Sequence, residues 1–300
     1  MNLLTRSDFD GLACGVLLKA MGIIDTWKFV HPKDLQDGIV EVTGNDVLAN
    51  VPYVEGCALW FDHHISENLR LGEFEFKGAV EYIDSAARVI YNYYKGEHDL
   101  SKFGEMLDAV DKVDAAHLSI DEIKNPEGWV LLGYIMDPRT GIGRFRDFRV
   151  SNYQLMEMLM DFCSYMTIDE ILAHPDVKER VEVYKQQAPQ FEKMLREHTC
   201  VDGNVIITDL RGQEVIYSGN RFMIYALFPE QNISVWVVDG KQKLNAAIAV
   251  GYSVINRTSK VNVGQILLEY GGGGHHQVGT CQVPYEDCDK VLEELAKKLQ

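Results

Sequence analysis

The amino-acid sequence predicts an α/β protein of two domains: an N-terminal one built on a mostly parallel sheet, then a smaller mixed α/β one. Three observations carry that expectation. Over the first half, short apolar runs alternate with helical patterns, as they do where helices cover both faces of a parallel sheet. Residues 175–198 form a long, polar, mostly helical stretch interrupted by Pro189, which is expected to kink or end the helix and so mark the hinge. After Cys200 the chain turns β-rich, its apolar runs separated by Asp, Gly and Asn turns. The expected division is residues 1–185, a linker at 186–200, and residues 201–300.

Taken in order, the first strand is the short apolar run Leu3-Leu4-Thr5. A helix over residues 12–21 follows, closed by Gly22, the residue type best suited to the left-handed position after a helix. Apolar runs bounded by turn residues predict strands at 27–30, 39–43 and 57–61, with helices near 85–94 and 102–113. Residues 126–165 read as helical with a break at "DPRTGIGRFRDFR". In the second part "NVIITDL", "EVIYS", "ISVWVV" and "KLNAAIAVGYS" are the expected strands, interleaved with helices near 221–227 and 263–270 and followed by one at 287–299. No internal repeat, low-complexity tract or heptad run interrupts this plan.

Composition bounds the function. Three hundred residues are enough for two domains with sizeable cores. Against 29 Lys and Arg stand 45 Asp and Glu, a formal charge of −16. That argues against a chain-long cationic surface for duplex DNA or an anionic membrane. A small phosphorylated ligand needs only a local positive pocket and is not excluded. Cys14, Cys57, Cys163, Cys200, Cys281 and Cys288 show no C-x-x-C spacing and read as reduced thiols of a cytosolic protein. The opening "MNLLTRSDFDG" lacks a basic region followed by an apolar stretch, so no signal peptide is expected. No run reaches the ~18 apolar residues of a membrane span, and a cytoplasmic location is expected.

Three motifs carry chemistry. "SDFDG" puts Asp8 and Asp10 in the loop after the first strand, with Gly11 opening a helix. Residues i and i+2 of an extended segment can face one site, and a helix N-terminus offers N–H groups to an anion. Asp8 could equally be an N-cap beside a solvated Asp10. Asp62-His63-His64 follows the apolar run "CALWF". Carboxylate beside neutral imidazole suits Mn, Fe, Co or Zn better than Ca, although a core histidine bonded to a carboxylate would look the same. Strands distant in sequence can end side by side in a parallel sheet, and ligands bind at those carboxyl ends. The two clusters can therefore share one metal site. "GGGGHHQVGT" sets four glycines before His275 and His276; without Cβ atoms, such a loop lets amides approach a phosphate. It is neither a Walker A loop nor a dinucleotide fingerprint, and a flexible helix C-cap is the plainer alternative. Arg139, Arg144, Arg146 and Arg149 also gather in one short segment, where their forks could grip phosphate or pair with surface acids.

Together and in this order, these motifs resemble the DHH phosphoesterases that carry a C-terminal DHH-associated domain with a G-G-G-H motif. That group includes nano-RNases and phosphoadenosine-phosphate phosphatases, phosphodiesterases of cyclic-dinucleotide signalling and single-strand DNA exonucleases; exopolyphosphatases share its N-terminal part. The resemblance covers nearly the whole chain. It implies that the family's first motif, H-x-D-x-D-G, falls on residues 6–11, making Asp8 and Asp10 metal ligands. The second, an aspartate after the next sheet strand, is best matched by Asp46. The third is Asp62-His63-His64, with His63 a ligand and His64 and Asp62 catalytic. The fourth is Asp114 or Asp111; Asp114 is preferred because apolar Leu118 lies four places on. In the second domain Gly272, Gly273, Gly274, His275 and His276 are implied to bind substrate with Arg257, and from the arginine cluster Arg144 is expected as a further substrate contact.

The implied architecture has the active-site cleft between the two domains. The implied function is metal-dependent hydrolysis of a phosphate ester or phosphodiester on a small nucleotide or short oligonucleotide. Two Mn²⁺ ions, with Mg²⁺ or Co²⁺ as alternatives, would be bridged by Asp46 and clamp an in-line attack by activated water. One departure stands out: the leading histidine of the first motif is Arg6. A guanidinium has no lone pair for a metal. Arg6 either serves as a fixed cation beside the phosphate or marks a weakened metal position. An exopolyphosphatase and a non-catalytic nucleotide-binding sensor are the alternative readings. No membrane and no duplex DNA are expected as partners, and a homodimer is compatible with the sequence.

Overall fold

Leu3, Leu4, Val47, Leu48, Trp60 and Phe61 are all buried, and they put a parallel sheet at the centre of the first half of the chain. The computed structural model describes residues 1–64 and 74–300. The chain divides into two compact units, Met1–His117 with Pro126–Val183, and Leu118–Asn125 with Tyr184–Gln300.

The sheet of the first unit contains β1 (Asn2–Thr5), β2 (Thr26–Phe29), β3 (Asp46–Ala49), β4 (Leu59–Asp62) and β5 (Gly78–Val80). Their order is β2-β1-β3-β4-β5, and every pairing is parallel. Asn2 lies opposite both Thr26 and Asp46, and Thr5 opposite both Phe29 and Ala49, so all carboxyl ends share one edge. Helices α1 (Phe9–Ala20), α2 (Pro32–Gln36), α3 (Ala86–Tyr94) and α4 (Gly104–Asp114) follow strands of this sheet. Helix α1 is apolar on all sides, with Leu12, Cys14, Val16, Leu17 and Leu18 fully buried, as expected of a helix enclosed by others. Gly22 closes it with φ of 70°. The chain continues through α5 (Ile120–Lys124), which belongs to the second unit, and then α6 (Gly128–Met136), α7 (Asn152–Tyr165), α8 (Ile168–Ala173) and α9 (Pro175–Glu197).

The second unit has a mixed sheet of β6 (Thr199–Asp202), β7 (Val205–Asp209), β8 (Ile233–Asp239), β9 (Asn245–Tyr252), β10 (Gly273–Gly274) and β11 (Val278–Pro284). Its order is β10-β11-β9-β8-β7-β6; β7 and β8 run parallel and the other pairs antiparallel. Helix α10 (Met223–Leu227) follows β7, α11 (Val263–Leu268) follows β9, and α12 (Cys288–Lys298) ends the fold. Val235, Val237, Ile248 and Val250 form its core with Val263, Leu267, Val291 and Leu295 of the last two helices. All six cysteines are free thiols. Among the described residues no helix is long and apolar enough to cross a membrane.

Three expectations need correction. Residues 39–43 form no strand: Val40 and Val42 pack from one side against the cluster of Leu35 and Trp60, while the sheet position goes to Asp46–Ala49, buried throughout. "EVIYS" is likewise no strand. It runs beside α9, where Ser218 N–H donates to Gln187 Oε1 at 3.2 Å, and a Cβ on neighbouring Gly219 would come within 2.2 Å of the Phe191 ring. Helix α9 also continues through Pro189 instead of ending there. The proline removes one intrahelical N–H, but buried Phe191, Met194 and Leu195 hold the following turns in place. The residues expected to be a linker thus lie in α9 and β6.

Candidate metal centre

The carboxyl edge of the parallel sheet gathers the charged side chains. Arg6 to Asp10 follow β1, Asn50 follows β3, Asp62 ends β4 with His63 and His64 after it, and α3 starts beyond β5. Asp10 is 1 % exposed. Its Oδ2 accepts from Ala86 N–H at 2.9 Å and its Oδ1 from Ala87 N–H at 2.8 Å, both amides of the first turn of α3. Burial, and then the neighbouring Asp8, pushes its carboxyl up to about 7.

His63 approaches from β4. Its Nδ1–H donates to the Ile83 carbonyl at 3.0 Å, which fixes the tautomer and leaves the Nε2 lone pair facing inward. Nε2 lies 3.7 Å from Asp10 Oδ2 and 3.3 Å from Asp114 Oδ2. It is buried and has no hydrogen bond. Asp114, at the end of α4, is raised well above the usual carboxylate range by burial and then by Asp10 and Asp8. The ligand atoms of Asp10, His63 and Asp114 all lie within 4.8 Å of one another. A buried imidazole lone pair without a partner, facing two carboxylates that are costly to ionise, fits a divalent cation. Among the described residues it is the one such ligand set.

Beside it, His64 Nδ1–H donates to Asp62 Oδ1 at 2.8 Å. Burial works against charge on this ring, but the hydrogen bond and charge of Asp62, then Asp114 and Asp10, outweigh it and raise its pKa. Asp62 thus orients the ring, with Nε2 on its opposite side.

Asp8 is held differently. It caps α1, with Oδ1 accepting from Gly11 N–H at 2.9 Å and from Asn50 Nδ2 at 3.0 Å. Its Oδ2 pairs with Arg6 Nε at 3.0 Å. Gly11 is required here because a Cβ would come within 2.0 Å of the Arg6 carbonyl. Asn50 is buried, with a left-handed φ of 55°, a conformation that asparagine tolerates. Nearby Arg139 pairs with Asp137 at 2.7 Å. Its charge is favoured, against burial, by Asp137 first and then by Asp8 and Asp114. Arg144 lines a cavity of about 320 Å³ with Ser7 and Asp137. Arg149 instead pairs with Asp176 at 3.0 Å.

Two expected ligands lie elsewhere. Asp46 starts β3 and is therefore at the amino edge of the sheet, where it accepts from Asn2 Nδ2, Thr43 N–H and Thr43 Oγ1, each at 2.7 Å. The place after that strand belongs to Asn50, so no carboxylate bridges there. Asp111 is occupied by Arg88 Nε at 2.7 Å and Ser85 Oγ at 2.6 Å. Sequence reading passed over Asn50, the Ala86 and Ala87 amides, the Ile83 carbonyl and the position of Arg139. For Asn50 there was a signal: it directly follows the apolar run "DVLA".

In the second unit the glycine run is an edge strand and not an open loop. Gly273 and Gly274 pair with Thr280 and Gly279; a Cβ on Gly272 would lie 2.2 Å from the Thr280 carbonyl. The amides of Gly271, Gly272 and His275 donate to Leu268, Leu267 and Val278 carbonyls, and the His275 and His276 carbonyls accept from the first amides of α11. The imidazoles of His275 and His276 are exposed, with His276 Nδ1 3.5 Å from the Tyr252 hydroxyl. Arg257 Nε–H donates to the Val254 carbonyl at 3.1 Å on the exposed surface of this unit.

No family model and no curated protein matches the chain. Among solved structures, one described as "pGpG-specific phosphodiesterase - PggH from Vibrio cholrae" is 45% identical, with 99% of this chain and 98% of that chain covered and a TM-score of 0.89. An exopolyphosphatase-related protein from Bacteroides fragilis is 13% identical, covering 99% and 91% of the two chains at a TM-score of 0.52. RecJ from Thermus thermophilus, solved with Mn²⁺, is 11% identical at a TM-score of 0.52, covering 99% of this chain and 51% of that chain. The last two are alike in fold alone.

Proposed function

The chain belongs to the DHH phosphoesterase family, and we propose that it is a metal-dependent phosphodiesterase that cleaves a short linear dinucleotide of the pGpG type into nucleoside monophosphates. The observation that carries this reading is the buried His63 Nε2 facing Asp10 and Asp114 beside the Asp62–His64 pair. Similarity along the whole chain to a relative described as pGpG-specific supports the substrate class.

Asp10, His63 and Asp114 would hold the ion, and their mixed oxygen and nitrogen donors suit Mn²⁺. Bound there, a divalent ion supplies Lewis acidity and makes water acidic enough to attack at neutral pH. The residues around it do the rest. His64, oriented by Asp62 and held toward its protonated form, gives its Nε2 proton to the oxygen that leaves phosphorus. Arg6 and Arg139 are fixed cations for the charge that grows on the phosphate. In the second unit, the exposed imidazole of His275 would bind a phosphate of the substrate.

The test is a Mn²⁺ assay panel: a linear dinucleotide, a cyclic dinucleotide, phosphoadenosine phosphate and polyphosphate. Fastest turnover of the linear dinucleotide, with two monophosphates released per molecule, is expected. Preference for polyphosphate, or binding without turnover of any of the four, would overturn the proposal.

A further inference from the structure

We infer that this chain holds a single divalent ion, and that Arg6 and Asn50, locked onto Asp8, take the place of a second. The inference rests on the metal-centre reading above and deepens it. Both oxygens of Asp8 are engaged: Oδ1 accepts from Gly11 N–H and Asn50 Nδ2, and Oδ2 faces the Arg6 guanidinium at 3.0 Å. An ion arriving at Asp8 would have to displace a charge-paired arginine and would then sit beside that cation. Both steps oppose binding.

Charge makes the exchange quantitative. A site with histidine at position 6 and an aspartate after β3 would carry one positive charge fewer and one negative charge more. Arginine at 6 and asparagine at 50 thus shift the edge by two positive charges, the charge of one divalent ion. Among the described residues, Asp46 faces the amino edge and Asp111 is engaged by Arg88 and Ser85. Asp62 gives Oδ1 to His64 and keeps Oδ2 buried without a hydrogen bond, one carboxylate oxygen where a bridging aspartate after β3 would add two. The fixed guanidinium neither dissociates nor depends on metal supply, and its planar fork is suited to a phosphate oxygen pair. In this arrangement Asp10, His63 and Asp114 would hold the one ion, which would supply the acidity of the attacking water, and the Arg6 guanidinium would grip the phosphate.

Calorimetric titration of the full chain with Mn²⁺, read alongside its electron paramagnetic resonance spectrum, tests this. The expected result is one ion per chain with the spectrum of a magnetically isolated Mn²⁺. The double variant Arg6→His with Asn50→Asp should bind a second ion and show a spectrum broadened by exchange coupling. Two coupled ions in the unaltered protein would overturn the inference while leaving the metal-dependent reading intact. No bound ion at all would overturn both. A double variant that keeps its circular dichroism and still binds one ion would also overturn it, since Arg6 and Asn50 would then not be what excludes the second. If that variant does not fold, the count in the unaltered protein decides.

Discussion

Removing the metal should make the stability of this protein rise as pH falls. Asp10 is 1 % exposed, and burial followed by the charge of Asp8 moves its carboxyl from an ordinary 3.8 to about 7. In the unfolded chain it ionises at the ordinary value, so between the two only the folded state holds the proton. A raised folded pKa contributes stability that is complete below 3.8 and lost as pH rises through about 7. For one group centred there, acidifying from pH 8 to pH 6 stabilises the chelated protein by about 1.4 kcal/mol. At about 2–4 °C per kcal/mol for a large domain, that is a rise of roughly 3–6 °C in Tm. Asp114 and His64 act in the same direction, but water reaches both side chains, so Asp10 carries the figure. With Mn²⁺ saturating the site, Asp10 is ionised in both states and the rise should vanish. The increment given by the ion therefore shrinks by about the same 1.4 kcal/mol over that interval.

The assay is scanning calorimetry from pH 6 to 8, with chelator and with Mn²⁺, on the natural protein and on Asp10→Asn. The variant retains one acceptor for the Ala86 and Ala87 amides and leaves the other unmet, a penalty of about 1–3 kcal/mol at every pH. Its chelated Tm should lack the Asp10 share of the acid gain. Identical pH profiles for the two chelated proteins would refute the reasoning, because Asp10 would then not be the proton-holding group.

Three other substitutions separate the roles. His64→Ala should lower kcat about 100-fold or more while leaving Mn²⁺ affinity within twofold by calorimetry; a lost ion would make His64 a ligand instead. Asp46→Ala should cost about 1–3 kcal/mol in urea unfolding, since it strands the three donors from Asn2 and Thr43, with Mn²⁺ stoichiometry unchanged. Its hydrogen bonds outweigh burial and lower its pKa, so this contribution is present above 3.8 and fades as pH falls through the lowered value. His275→Ala should raise KM for the dinucleotide with kcat nearly constant, the pattern of lost uniform binding; an equal fall in kcat would move the residue to the reacting phosphate.

Much of this architecture was legible because it is written in local pattern. The apolar runs before Asp8 and Asp62 are strands, Gly22 ends a helix, and the clusters that follow two different strands meet at one sheet edge. What the sequence left hidden is set by partners distant along the chain. "IVEVT" alternates as a strand should, yet Asp46–Ala49 is the segment flanked on both sides, by β1 and β4, and neither neighbour is visible in a window of ten residues. "EVIYS" has strand propensity, but α9 claims it. The glycine run looked open because glycine permits openness; here it permits close pairing, with β11 filling the space where side chains would be.

The misplaced strand matters most for the chemistry, because the two ends of a parallel strand are not equivalent. Asp46 and Asn50 are four residues apart, which at ~3.3 Å per residue is about 13 Å along the sheet. That distance separates a carboxylate that ties Asn2 and Thr43 together from an amide that holds Asp8. Matching by residue type selects the aspartate, since a metal site wants carboxylates. Topology selects the position, and the residue there cannot carry negative charge. Once Asn50 is set beside Arg6, the unusual start of the first motif is no longer a single lost ligand. It is one half of a two-residue exchange of a mobile divalent charge for charge fixed in the chain, and substitution at both positions is needed to reverse it.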